Sequence, residues 1–313
     1  MTLTELRYLV ALERERHFGR AADACFVSQP TLSVAIRKLE EELNVTLFER
    51  TNTDISVTPL GQRIVAQATQ VLEHVQTLKQ IAHHGEDTLA GPLRLGAIYT
   101  VAPYLLPKLI PALHAIAPSM PLLLEENFTH KLVERLRQGE LDAILVALPF
   151  NEPGLHAQTL YREPFQVMIP AAHAWSAQTH ISIEALAQEN TFLLGSGHCF
   201  REQVLDACPA LRRSMADGGA AQTLQSGSLE TIRYMVASGA GISVMPCTAT
   251  QEITMPGLDY RPFSAPVPFR DVALASRSTY PRQSALQALV QAVAQCRLAC
   301  VATTHDLAGT NVL

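Results

Sequence analysis

The sequence predicts an α/β chain in three parts: an amino-terminal helix-turn-helix unit, a long pairing helix, and two α/β subdomains around a cleft. Three observations predict it. Apolar residues recur at helical spacing, with caps, through the first 43 residues; an apolar stripe then runs from Leu60 to Ala82 without a glycine or proline after Gly61; and from Gly91 onward short apolar runs alternate with helical patterns.

With 313 residues, 48% of them apolar, the chain can bury a large core. Its first residues lack a basic segment followed by an apolar one, and the most apolar stretch, Leu105 to Leu124, is cut by Pro107, Pro111, Pro118 and Pro121. A cytoplasmic protein with no membrane partner is expected. Six scattered cysteines in such a compartment argue against a structural disulfide framework, so any pair that oxidises is expected to do so transiently. Net charge is −5, and residues 1–60 hold seven Lys or Arg against nine Asp or Glu. Charge alone therefore gives no support to nucleic-acid binding.

Thr2 and Glu5 read as a capping box, followed by an apolar stripe of Leu3, Leu6, Leu9 and Val10. A second helix runs through Ala21, Ala22 and Ala24, and Ser28 caps a third with Pro30 in its first turn. Leu32, Ile36, Leu39 and Leu43 share a buried face; Gln29, Ser33 and Arg37, four apart, share an exposed one. A short turn between two helices, the second presenting Gln, Ser and Arg, suits a recognition helix in the major groove. Glutamine can pair with adenine, the Pro30 ring can touch a thymine methyl, and Arg37 can reach guanine or phosphate. A helical hairpin with a polar solvent face stays open on periodicity alone.

The segment AADACFVSQPTLSVAIRKLEEELNVTLFER resembles the signature of LysR-type regulators. The resemblance implies a winged helix-turn-helix whose DNA contacts come from Ser28, Gln29, Pro30, Thr31, Ser33 and Arg37, with Arg50 leading into the wing. Family wings are usually basic. Here Asn52, Thr53 and Asp54 stand in that place, which predicts a shallower salt dependence of binding.

Thr58 and Pro59 open the long helix. Leu60, Ile64, Ala68, Val71, Val75, Leu78 and Ala82 form a heptad-like seam. Pairing of two copies and an intramolecular core helix both fit that stripe, with pairing favoured. LysR-type proteins pair through this helix and commonly form homotetramers, so the resemblance implies a homodimer or homotetramer on double-stranded promoter DNA, working with RNA polymerase.

Beyond Gly91, PLRLGAI, YLLPKLIPALHAI, PLLLEE, KLVERLRQG and DAILVAL alternate strand and helix, and a second set follows through QVMIP, TFLLG, LETIRYMVASG and GISVMP. A mostly parallel sheet is expected. A last helix is placed from Ser284 to about Ala299, with Cys296 and Cys300 on one face but poorly placed to bond. LysR-type regulatory domains resemble periplasmic binding proteins, the chain crossing between subdomains twice. The boundaries become 1–58 for the DNA-binding unit, 59–88 for the helix and 89–305 for the regulatory unit, with subdomain I at about 89–162 and 268–305 and subdomain II at about 163–267.

Chemistry concentrates in GSGHCFREQVLDAC. Cys199 follows a glycine-rich bend and starts a helix, where backbone amides and the helix dipole favour a thiolate; His198 and Arg201 add donors or positive charge. Cys208 is nine residues on, about 13.5 Å along a helix axis, whereas a disulfide needs Cα atoms within about 7 Å. Closing the bond would unwind the helix. Two inert cysteines, or a metal site using His198, Cys199 and Cys208, remain open from the residues alone, as does a turn or cap role for Thr100 and Thr129.

Cys199 and Cys208 with their flanks, Thr100 and Thr129 in context, and SLETIRYMVASGAGISVMP resemble the hydrogen-peroxide-responsive members of the LysR family over essentially the whole chain. That resemblance implies Cys199 as peroxidatic, Cys208 as resolving, and a peroxide pocket of Thr100, Thr129, His198, Arg201 and Arg270. It implies no metal, no cofactor and no enzymatic turnover. The alternative is a LysR-type regulator whose cleft binds a small-molecule inducer, the two cysteines being incidental. Cys247, Cys296 and Cys300 are expected to have no sensing role.

Overall fold

The computed structural model describes residues 1–50, 55–84, 89–216, 224–251 and 255–303. They divide into two compact units, residues 1–85 and most of 86–313.

In the first unit, α1 (Leu3–Glu15) opens on the capping box: the Thr2 hydroxyl accepts from the Glu5 amide at 3.2 Å and the Glu5 carboxylate accepts from the Thr2 amide at 2.7 Å. Helix α2 (Phe18–Ala24) is capped by the His17 ring. Helix α3 (Gln29–Leu43) is capped by Ser28, with Pro30 in its first turn. Leu32, Ile36 and Leu39 are fully buried against Leu6, Leu9, Leu12, Ala21 and Ala22. Lys38 donates to the buried Glu5 carboxylate at 3.0 Å, tying α3 to α1 and holding that carboxyl below its usual range. Strands β1 (Phe48–Arg50) and β2 (Ile55–Val57) pair as an antiparallel hairpin. The wing residues Asn52, Thr53 and Asp54 lie outside the described residues.

Helix α4 (Pro59–His84) starts at Thr58, whose hydroxyl accepts from the Gly61 amide at 2.8 Å. A Cβ on Gly61 would stand 2.4 Å from the Leu47 carbonyl oxygen, so the helix seats here only with glycine. The apolar seam divides. Val65 and Ala68 are buried, and Ile64, Val71 and Leu72 are half-buried, against the core of α1 and α3, while Leu78 is 67% exposed. The amino-terminal half of the stripe is therefore intramolecular core, recruiting Val65 and Leu72 that the seam omitted.

The second unit contains β3 (Leu93–Ile98), α5 (Ala102–Ile116), β4 (Leu122–Asn127), α6 (Thr129–Arg137), β5 (Ala143–Ala147), β6 (Leu155–Pro170), β7 (Thr191–Leu194), α7 (Cys199–Ala207), α8 (Pro209–Ala216), β8 (Leu224–Ser226), α9 (Leu229–Ala237), β9 (Ile242–Pro246), β10 (Leu258–Pro262), β11 (Phe269–Arg277), α10 (Gln283–Gln295) and β12 (Ala302–Thr303). The strand order is β4-β3-β5-β11-β6-β9-β7-β8, and β10 and β12 also pair with β6. The sheet is mixed, not mostly parallel. Strands linked by helices run parallel, β3 with β4 and β5, and β7 with β8 and β9; the pairs made by β6 and β11 are antiparallel. Parallel neighbours need a crossover between them, supplied here by α5, α6, α7, α8 and α9, whereas the antiparallel pairs of β6 and β11 carry no such requirement.

Two cores result. One gathers β3, α5, α6, β5, β11 and α10; the other gathers β7, α7, α9, β9 and the far end of β6. The single strand β6 serves both, pairing with β11 as far as Pro164 and with β9 from Phe165.

The carboxy-terminal helix ends at Gln295, earlier than expected, because Cys296 leaves helical geometry. Cys300 is thereby freed from the helix face and is joined to Cys247 in a disulfide with Cα atoms 6.1 Å apart. A Cys247–Cys300 pair is one the sequence did not suggest; Cys296 is not bonded to Cys300. Among the described residues no helix is long and apolar enough to cross a membrane.

Candidate functional site

Strand β7 ends at Leu194, and the chain bends through Gly195, Ser196 and Gly197 into α7. Gly197 has φ +96°, with the Phe128 ring 3.4 Å from where a Cβ would sit. Glycine suits both the left-handed turn and the close approach. His198 occupies the cap position but makes no side-chain cap bond. Its buried ring instead lies 4.8 Å from Phe128 and 5.8 Å from Tyr99. Burial pulls its pKa below the ordinary histidine value, opposed by a hydrogen bond with the Gly227 backbone.

Cys199 is the first residue of α7, half-buried, and packs against the core of the first lobe. In front of it is a cavity with room for about one water-sized molecule. Thr100, just past β3, and Thr129, just past β4, line it together with Tyr99, Phe128, His198 and Cys199. The carboxyl ends of adjacent parallel strands are where α/β sheets place their ligands.

Arg270 stands one layer behind. Its guanidinium donates to the Thr100 hydroxyl and to the Thr100 carbonyl, both at 2.8 Å, and to Glu163 at 2.6 Å. The second Glu163 oxygen accepts from the Thr248 hydroxyl at 2.6 Å and the Thr248 amide at 3.3 Å. Since the Thr100 oxygen accepts from Arg270, its own proton is directed elsewhere. Arg201 is not at the cavity: it donates to the Leu194 carbonyl at 3.0 Å and lies 3.7 Å from Glu202.

Cys208 caps the far end of α7, buried in the second core, its thiol donating to the Ile183 carbonyl at 3.1 Å. Burial pushes that thiol's pKa up. His198 and Cys199 are thus separated from Cys208 by the whole helix. Among the described residues no group of three or more His, Cys, Asp or Glu is placed to hold a metal ion.

Residues 3–62 match the bacterial regulatory helix-turn-helix protein, lysR family, and residues 86–297 match the LysR substrate binding domain. The DNA-binding transcriptional dual regulator OxyR of Escherichia coli K12 is 40% identical over 296 residues, 94% of this chain and 95% of that one. This chain belongs to the LysR family, in its OxyR group. Among solved structures, a full-length OxyR variant from Pseudomonas aeruginosa is 51% identical, covering 97% of this chain and 98% of that one with a TM-score of 0.70. A mutant of Corynebacterium glutamicum OxyR with hydrogen peroxide bound is 30% identical, covering 100% and 96%, with a TM-score of 0.62.

In this LysR-family chain the amino-terminal end of α3 exposes Ser28, Gln29, Pro30 and Thr31, with Arg37 also exposed and Ser33 half-buried. Arg50 ends β1, and its side chain lies outside the described residues. The residues that sequence reasoning missed are Tyr99, Phe128, Glu163 and Thr248. A signal for two of them was present: Tyr99-Thr100 and Phe128-Thr129 each put an aromatic ring immediately before the threonine at a strand end. Glu163 and Thr248 are joined to the site through Arg270, 107 residues beyond Glu163, and nothing local marks them.

Proposed function

We propose that this LysR-family protein is a cytoplasmic transcription regulator that senses hydrogen peroxide at Cys199. The observation that carries this is the small cavity bounded by Cys199, His198, Thr100 and Thr129 at the start of α7, with a second thiol at the helix's other end. Helix amino termini favour anions, and the thiolate is the attacking form. The Cys199 sulfur attacks one peroxide oxygen and the O–O bond breaks, leaving a sulfenic acid and one water. The Cys208 sulfur then attacks the sulfenic sulfur, the S–O bond breaks, and a second water leaves with formation of the disulfide. Thr100, oriented by Arg270, and Thr129 and the neutral His198 hold peroxide against the sulfur.

Cys199 and Cys208 are about 13.5 Å apart along a nine-residue helical path, so the bond closes only when α7 unravels and Cys199 or Cys208 leaves its core. That rearrangement is the switch. Its output is altered binding of α3 to promoter DNA and altered transcription of antioxidant genes, in a homodimer or homotetramer that pairs through α4 and acts on RNA polymerase.

One equivalent of hydrogen peroxide, added to reduced protein without air, tests this by non-reducing peptide mapping and operator gel shift. A rapid Cys199–Cys208 link, absent in Cys199→Ser, is expected. If both thiols stay free and DNA binding persists, the inducer is a small molecule of another kind, taken in the open cleft beside Leu148, Phe150, Phe269 and Arg270.

A further inference from the structure

We propose that Cys247 and Cys300 are a second thiol–disulfide couple, a covalent staple between the two lobes of the regulatory unit that closes independently of Cys199 and Cys208. Cys247 begins the short turn after β9 and is fully buried, on the lobe of the second core. Cys300 follows α10 of the first core and is half-exposed. The bond joining them therefore crosses from one lobe to the other. Two residues further on, β12 begins and pairs with β6 at Arg162 and Tyr161, just before β6 passes from one core to the other. The staple thus sits beside the one strand shared by both lobes.

Its position also reaches the Cys199 cavity. Thr248, the neighbour of Cys247, holds Glu163; Glu163 holds Arg270; Arg270 holds Thr100. A closed bond restrains the first member of that chain. It also closes a 53-residue separation, and a crosslink removes more conformational entropy from the unfolded chain the longer the loop it closes.

Cys300 is only partly buried whereas Cys247 is fully buried, so the couple is entered from Cys300: its sulfur attacks one peroxide oxygen, the O–O bond breaks, and a sulfenic acid and water result. The Cys247 sulfur then displaces the hydroxyl as a second water. Together the two thiols lose two electrons and two protons, and the peroxide becomes two waters. Reopening is by a dithiol reductant, whose thiolate attacks the sulfur of the partly buried Cys300 and is itself oxidised. The assignment of peroxide as oxidant rests on the function proposed above; the pairing of the two cysteines does not.

The test uses the full-length protein, reduced, desalted without air, exposed to increasing hydrogen peroxide, alkylated and digested without reduction, so that both links are scored in one digest. A Cys247–Cys300 peptide that accumulates with dose, forms also in Cys199→Ser, disappears in Cys300→Ser and is reopened by thioredoxin is the expected result. Deuterium uptake over residues 298–303 should fall several-fold when the bond is closed. The proposal is overturned if both cysteines alkylate fully at every dose, if the link forms only when Cys199 is intact, or if thioredoxin never opens it in folded protein. Loss of the Cys199–Cys208 link alone would overturn the function proposed above and leave the staple standing.

Discussion

Cys199 and Cys208 stand at opposite ends of α7 and pack into different hydrophobic cores, Cys199 against the first lobe and Cys208 inside the second. Gln203, between them, donates to the Leu148 carbonyl of the first lobe at 3.0 Å, while Phe200, Val204 and Leu205 bury into the second. The helix is a bridge whose two thiols meet only if it is undone.

Loosening that bridge should speed the switch. Phe200 is buried, 5.0 Å from Phe165 and 5.1 Å from the Arg270 guanidinium. Phe200→Ala is expected to cost about 3–5 kcal/mol of stability in a urea titration and to raise the rate at which the Cys199–Cys208 bond follows sulfenic acid formation, read by quenched-flow alkylation. A slower rate would mean that α7 need not unravel.

Removing the charge that faces Glu163 should be costly. Arg270 and Glu163 are both buried and 2.6 Å apart, and breaking one side of such a pair costs about 3–5 kcal/mol because a charge is left without its partner. Arg270→Met is expected to fall in that range. Arg270→Met combined with Glu163→Gln should recover part of it, measured by chemical denaturation.

DNA binding should be separable from folding on α3. Gln29 and Arg37 are exposed, so their alanine variants should shift the melting temperature little, since surface changes are within about 0.5 kcal/mol. Each is expected to weaken operator binding by about 1–3 kcal/mol if it reads a base edge, as measured by fluorescence anisotropy at fixed salt.

The two halves of α4 should answer differently to the same substitution. Val65→Glu places a charge in the amino-terminal core and should unfold that unit. Leu78→Glu, at a site 67% exposed, should leave each subunit folded and reduce its self-association in analytical ultracentrifugation. Equal sedimentation of Leu78→Glu and the parent would remove this half of α4 from the pairing surface.

His198 sets a pH dependence. Its folded pKa is lowered by burial, so below the ordinary histidine value of about 6.5 the unfolded chain takes up a proton that the folded one refuses. Its contribution to stability is therefore lost as pH falls from that range toward the lowered value. In His198→Gln this loss is absent, and the urea midpoints of variant and parent should converge between pH 7.5 and 5.

Local chemistry made much of the fold legible. Thr2, Ser28 and Thr58 cap α1, α3 and α4 because a hydroxyl three residues ahead of an orphan amide needs no tertiary partner. The strand ends bearing Thr100 and Thr129 could be placed because alternating strand and helix already implies where ligands sit. The antiparallel run of β6 and β11 was not legible, since pairing of segments a hundred residues apart leaves no periodic trace.

What the sequence by itself determined was the helical amino-terminal unit and the strand–helix alternation after it, the exposed face of α3, and that Cys199 and Cys208 lie on one helical segment. Only the tertiary structure decided that the two thiols occupy separate cores, that Arg270 holds Thr100 and Arg201 does not line the cavity, and that α10 ends early enough for Cys300 to reach Cys247. Caps and periodicity are written in neighbours along the chain, where spacing alone sets the geometry. Side-chain partnerships across a sheet depend on how lobes close over one another, and that packing is settled by the whole core at once.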